Sequence, residues 1–252
     1  APLRFPKAAG STAVRIMGAG PGATTLVAAN SDSALCVIRA SNQQLENLSL
    51  VGTGVTGNGA GILVESLGAV IAHASVRNCI IDSTSSWGLY VRGTSSPSDK
   101  LAILCTYDNV QISHPSSGGA VRIDRTCTTQ YFSNSSFGQF VGYGAQILGA
   151  SVSFTNCDFE QGDFAPASNE FVYLDSCSGT TFTHCWFEDN RPDTTVAFFV
   201  RTSPLTNTIT MNTCNFIRTR LFQARALWLD QWTQGFLLIN PSFSANDSTG
   251  RA

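Results

Sequence analysis

Charge is the scarcest property of this sequence. Only 13% of its 252 residues are Asp, Glu, Lys or Arg, and the net charge is −2. That fraction is about half the globular average. With no basic excess, the electrostatic footprint of a nucleic-acid-binding protein is missing. No run of 18 or more apolar residues occurs, so no stretch reads as a membrane span and membrane insertion is not expected. The opening segment APLRFPKAAG lacks the apolar core of a signal peptide. None of the eight cysteines falls in a C-x-x-C pair or a zinc spacing. Gly18, Gly20 and Gly22 do not form a nucleotide loop, because Pro21 interrupts them and no helical pattern follows.

What is present is a hydrophobic fraction of 43% with abundant Gly, Ser, Thr and Asn, a composition of strands and turns. A repeat organises it. Eight segments align on Asn47, Asn78, Asn109, Asn134, Asn156, His184, Thr213 and Asn240, at intervals of 22 to 31 residues. Two residues before each anchor stands an apolar residue. Three residues after it stand Leu50, Ile81, Ile112, Phe137, Phe159, Phe187, Phe216 and Phe243. Alternation on both sides means two short strands with one face inward and a bend between them. Asn tolerates the left-handed conformation of such a bend. The position after the anchor is small or apolar and includes Cys79, Cys157, Cys185 and Cys214, which reads as interior packing by free thiols.

A third strand precedes each anchor segment, at 35–37, 62–64, 89–91, 121–123, 145–147, 172–174, 198–200 and 227–229. Its first and third members are expected inside and its middle member outside. With a first coil at 14–17, the pattern predicts an all-β, right-handed, single-stranded parallel β-helix of about nine coils and three sheets. One domain is expected over residues 1–252, as a segment of a longer chain, since neither end shows an amphipathic capping helix.

At this point the sequence resembles the pectate-lyase-like superfamily, above all bacteriophage tailspikes and polysaccharide-degrading β-helices. The opening coil VRIMGAGPGATTL at 14–26, with its Gly turn, and the following LENLSLVG at 45–52 carry the likeness, which extends over nearly the whole chain at the level of fold. The resemblance implies a trimeric tailspike in the phage tail, folded in the host cytoplasm, that binds and hydrolyses capsule, lipopolysaccharide or exopolysaccharide. A secreted or cell-surface location is the alternative. No polygalacturonase, pectate lyase or pectin methylesterase motif is found. His73, His114 and His184 support no histidine mechanism, and His184 simply replaces an anchor Asn.

Function should therefore lie on outward positions and loops. The middle column of the third strand reads Leu63, Tyr90, Arg122, Gln146, Tyr173, Phe199 and Trp228. The next outward column reads Glu65, Arg92, Asp124, Leu148, Asp175, Arg201 and Asp230. The face after the anchor adds Asp158, Glu160, Trp186 and Glu188, and the connecting loops add Asp163, Asp189, Arg191 and Asp193. A groove is expected where these faces meet, over the middle to late coils. Glu160, Glu188, Asp175 and Asp124 are the acid/base candidates. Tyr90, Arg92, Tyr173, Trp186, Arg201 and Trp228 are the candidate sugar contacts. Asp124 and Asp175 should lie two coils apart, roughly 10 Å, and Glu160 and Glu188 one coil apart, roughly 5 Å. Close like charges raise one pKa and place an acid beside a base. No cofactor is expected for a hydrolase; a lyase would call for calcium among the Asp residues or a basic residue as proton acceptor. The same outward groups also suit a solvated face, a subunit interface, or a fibre that grips glycan without cutting it.

Overall fold

The computed structural model describes residues 3–4, 13–66, 70–93, 102–161, 170–189, 198–218 and 225–245. Among them every element is a strand, and strands of successive coils pair in parallel and in register. Nine strands, one per coil, form sheet A. The strands on both sides of the anchors form sheet B, with sixteen. The expected second and third sheets are one hydrogen-bonded sheet because Gln43–Val51, Ser75–Asp82 and Ala102–Ser113 run unbroken through the anchor corner. Among the described residues the solenoid makes about seven full turns, slightly fewer than the nine coils expected.

All eight anchors adopt the left-handed conformation, with φ between 45° and 58°. Their side chains form a ladder. The Asn78 amide donates to Asn47 (3.0 Å), Asn109 to Asn78 (2.9 Å) and Asn156 to Asn134 (3.2 Å). Asn134 reaches Asp108 instead, at 2.9 Å. Two further bends per coil escaped the sequence pattern, because no single residue type fills them. One takes Ser83, His114 and Gln139; the other takes Asn42, His73, Leu104, Thr129, Thr208 and glycines. His73 and His114 are thus corner residues, as His184 is.

Two of the sheet A triplets need correction. Cys36, not Leu35, pairs with Ile62, so the second coil reads in, out, in over Cys36–Ile38. Val200 pairs with Val172 and Arg201 with Tyr173, so the outward residue of that coil is Arg201 and not Phe199. Phe199 is buried, edge-on to Phe171 at 5.1 Å. Both slips arose where apolar residues stand side by side and alternation is lost.

The interior is a set of columns. After the anchor, aliphatic Leu50, Ile81 and Ile112 give way to Phe137, Phe159, Phe187 and Phe216, whose rings follow one another at 5.0–5.1 Å. Before it, Tyr107, Phe132, Phe154 and Phe182 do the same at 4.5–5.1 Å. Such pairs contribute about 0.5–1.5 kcal/mol each beyond their burial. All eight cysteines are free and buried.

Candidate functional site

The expected site residues divide between the two sheets. Tyr90, Arg92, Asp124, Tyr173, Asp175, Arg201 and Trp228 belong to sheet A or follow its strands. Glu160, Trp186 and Glu188 belong to sheet B. Asp163, Arg191 and Asp193 lie outside the described residues.

On sheet A the charges are matched to one another. Glu65 is buried and takes both Arg39 (2.5 Å) and Arg92. Burial alone would raise its carboxyl, but the two guanidiniums hold it below the usual value. The Tyr90 hydroxyl donates to Asp124 (2.8 Å), which also accepts from Arg122 (3.0 Å). The guanidiniums of Arg122 and Arg92 lie 5.2 and 5.7 Å from the Tyr90 ring centre. Burial and the Asp124 carboxylate push the Tyr90 phenol up to about 12. Asp175 accepts from Ser203 (2.5 Å), Arg125 (2.7 Å) and Ser176 (3.0 Å). These bonds outweigh its burial and keep it ionised. Arg201 binds Glu170 at 2.5 Å and lies 5.9 Å from the Tyr173 ring. Trp228 meets Phe198 edge-on at 5.3 Å and is 39% exposed. Asp124 and Asp175 stand two coils apart, but each is engaged by an arginine.

Sheet B carries a second group of acids. Asp158–Gln161 and Trp186–Asp189 pair so that Asp158 stands opposite Trp186 and Glu160 opposite Glu188. Side chains two apart on a strand share a face, so three carboxylates gather on one patch. Glu188 accepts the Trp186 indole N–H at 2.8 Å. Asp158 is the distinctive member. Its Oδ1 is buried without a hydrogen-bond partner. Burial, and then the charges of Glu160 and Glu188, raise its carboxyl from 3.8 to about 6. A protonated carboxyl tolerates such a place; a carboxylate with a dry oxygen does not.

Beside this patch runs a groove of about 260 Å³. Gln111, Ser113, His114, Ser136, Gln139 and Glu160 line it. Its far wall is held by Asp82, which accepts from His114 Nδ1 and Ser113 Oγ, both at 2.8 Å. The groove occupies the middle coils, without the sheet A aromatics that had been expected to share it. Among the described residues no group of three His, Cys, Asp or Glu is arranged to hold a metal. Asp158 was legible only as one more outward acid. Its position predicts solvent exposure, and nothing in the local sequence reports that its carboxyl is dry.

The model of the right handed beta helix region family matches residues 60–243. No curated protein matches by sequence. Among solved structures the chain is similar to bacteriophage CBA120 tailspike protein 2, enzymatically active domain, with a TM-score of 0.63 and 12% identity over 92% of this chain and 38% of that one. It is similar to ORF18 of Geobacillus virus E2, with a TM-score of 0.61 and 12% identity over 93% and 50%. A tailspike protein of the Acinetobacter baumannii bacteriophage Fri1, a capsular polysaccharide depolymerase, gives 0.51 and 11% over 90% and 48%. At these identities the likeness is one of fold, and the chain spans half or less of each of these phage proteins.

Proposed function

The chain belongs to the right-handed β-helix family, and from that premise we propose that it binds and hydrolyses a bacterial surface polysaccharide as a tailspike-type protein of a phage tail. One observation carries the reading: a half-buried carboxyl with one dry oxygen and a raised pKa, Asp158, beside Glu160, which lines a groove. Asp158 is the general acid, protonated up to about pH 6, and donates to the leaving glycosidic oxygen. Glu160 is the general base that draws a proton from the attacking water. Glu188, held by the Trp186 indole, maintains the negative field that keeps the proton on Asp158. Residues two apart on a strand are separated by roughly 6.6 Å. That suits the wider carboxyl spacing of inverting hydrolysis, about 6.5–9.5 Å. Amides and hydroxyls of Gln111, Ser113, Ser136 and Gln139 supply contacts for sugar hydroxyls. The names of the structural neighbours, a tailspike and a capsular polysaccharide depolymerase, support a polysaccharide substrate.

The test is incubation with purified capsule, lipopolysaccharide and exopolysaccharide, read by reducing-end assay and absorbance at 235 nm. New reducing ends without absorbance are expected, and both Asp158→Asn and Glu160→Gln should lower the rate at least about 100-fold. Absorbance would identify a lyase instead. Retention of glycan without products would leave a binding fibre, the reading that the arginine-paired Asp124 and Asp175 favour.

A further inference from the structure

A second groove, of about 460 Å³, opens on sheet A over the coils headed by Cys36–Ile38, Ile62–Glu65 and Trp87–Arg92. Its volume lies within the range of small-ligand sites, about 300–1,000 Å³. Leu63 and the edge of Trp87 form an apolar floor. Asp32, Asn58, Tyr90 and Arg92 supply polar groups around it. We infer that this groove is a second glycan-binding site that holds a neutral sugar unit without cleaving it.

The chemistry follows from what lines it. Guanidiniums already lie over the Tyr90 ring, so the groove presents polar edges above an apolar floor, and not a bare aromatic face. That pattern fits a ligand with C–H faces and a rim of hydroxyls better than a flat apolar one. Glu65 is shared by Arg39 and Arg92, and with Asp32 in the lining the two arginines and two carboxylates balance. A neutral sugar unit is therefore accommodated, whereas a polyanion is not drawn in. Cleavage is absent because the carboxylates are wrong for it. Glu65 is buried and held ionised by its two arginines, so no acid stands poised beside a base.

The wall of the groove is pre-built. Two of its lining groups are already joined, the Asn58 N–H donating to Asp32 at 3.2 Å. Little ordering cost remains for binding. These loops join the two sheets, and the acid-lined groove lies on their other side. The two grooves are offset by about two coils, roughly 10 Å along the rod. One glycan chain crossing the loops would engage both.

The inference shares with the proposed function the assumption of a glycan ligand but not that of cleavage. The probe is an array of immobilised bacterial capsular polysaccharides and lipopolysaccharide O-chains, with soluble fragments of the glycan retained. Asn58 is exposed, so Asn58→Trp fills the groove and Asn58→Ala trims its rim without touching the core. Asn58→Trp is expected to weaken retention at least 10-fold, Asn58→Ala to weaken it less, and both to leave the turnover of short fragments unchanged. Wild-type retention by Asn58→Trp overturns the site, and an equal fall in short-fragment turnover overturns its separateness from the cleavage groove. Asp158→Asn should keep full retention. If the wild type cuts nothing, hydrolysis fails as a reading while the Asn58 variants still decide this groove.

Discussion

At the scale of single residues, Asp158 links stability to function. Its carboxyl titrates at about 6 in the folded chain and near 3.8 in the unfolded one. The native state therefore binds the proton more tightly, and this group's contribution to stability falls as pH rises from about 4 to 6. The shift corresponds to roughly 3 kcal/mol. Partial contact with solvent reduces that to on the order of 1–2 kcal/mol. Asp158→Asn should accordingly be more stable than wild type at pH 8 by about 1–2 kcal/mol, with the difference gone below pH 4. Denaturant midpoints at the two pH values check this. Taking the difference between variant and wild type removes Asp82 and Asp175, whose depressed pKa values act in the opposite sense, with stability lost as pH falls. Activity should decline above about pH 6 as Asp158 loses its proton. A variant that gains stability while losing turnover is what a functional, unfavourably buried acid produces.

At the scale of the element, the anchor corner is where sequence and backbone agree most closely. The left-handed φ disfavours most side chains by roughly 1–2 kcal/mol, and Asn meets that cost with a ladder of amide hydrogen bonds. Asn109→Ala loses both its conformational tolerance and its bond to Asn78; a destabilisation of about 1–3 kcal/mol is expected. His184 interrupts the ladder between Asn156 and Thr213. His184→Asn should stabilise by about 0.5–1.5 kcal/mol through a restored bond to Asn156. Thermal midpoints of the two variants, which should move in opposite directions, decide the point. The anchor column and the inward residues around it were readable because period-2 alternation survives there. The other two corners were not, since residues as different as His73, Leu104 and Thr129 fill equivalent places. Only the stacking of coils compels their φ.

At the scale of the molecule, each coil packs on its two neighbours, so stability is close to a sum of local and nearest-neighbour terms. The late Phe columns concentrate that coupling beneath the acid patch. Phe159 is fully buried and its ring contacts Phe137, Phe154, Phe182 and Phe187. Phe159→Ala should cost about 3–5 kcal/mol. Amide exchange should rise around residues 137–187 while the coils at 36–82 keep their protection. Uniform loss of protection along the whole rod would show a cooperative unit larger than nearest neighbours. The ring column continues through the last described coil, where Phe243 stacks on Phe216 at 5.0 Å.

The parallel β-helix was determined by the sequence alone. Its evidence is periodic, and eight copies of one apolar pattern around a bend leave little else for the chain to do. The one-coil spacing of Glu160 and Glu188 came with it, as did the thiols inside. What only the tertiary structure decided is which outward acid is dry. Asp124, Asp158 and Asp175 look alike along the chain, all outward and all near an aromatic column. Arg122 on the same coil claims Asp124 and Arg125 from two coils away claims Asp175, while Asp158 is half-buried beside two other acids. Neighbours across coils are 22 to 31 residues away in sequence, and desolvation is a sum over those neighbours, so it has no local signature to read. The same reason hid the separation of the expected site residues onto two sheets, where Tyr90 and Arg92 line one groove and Glu160 another.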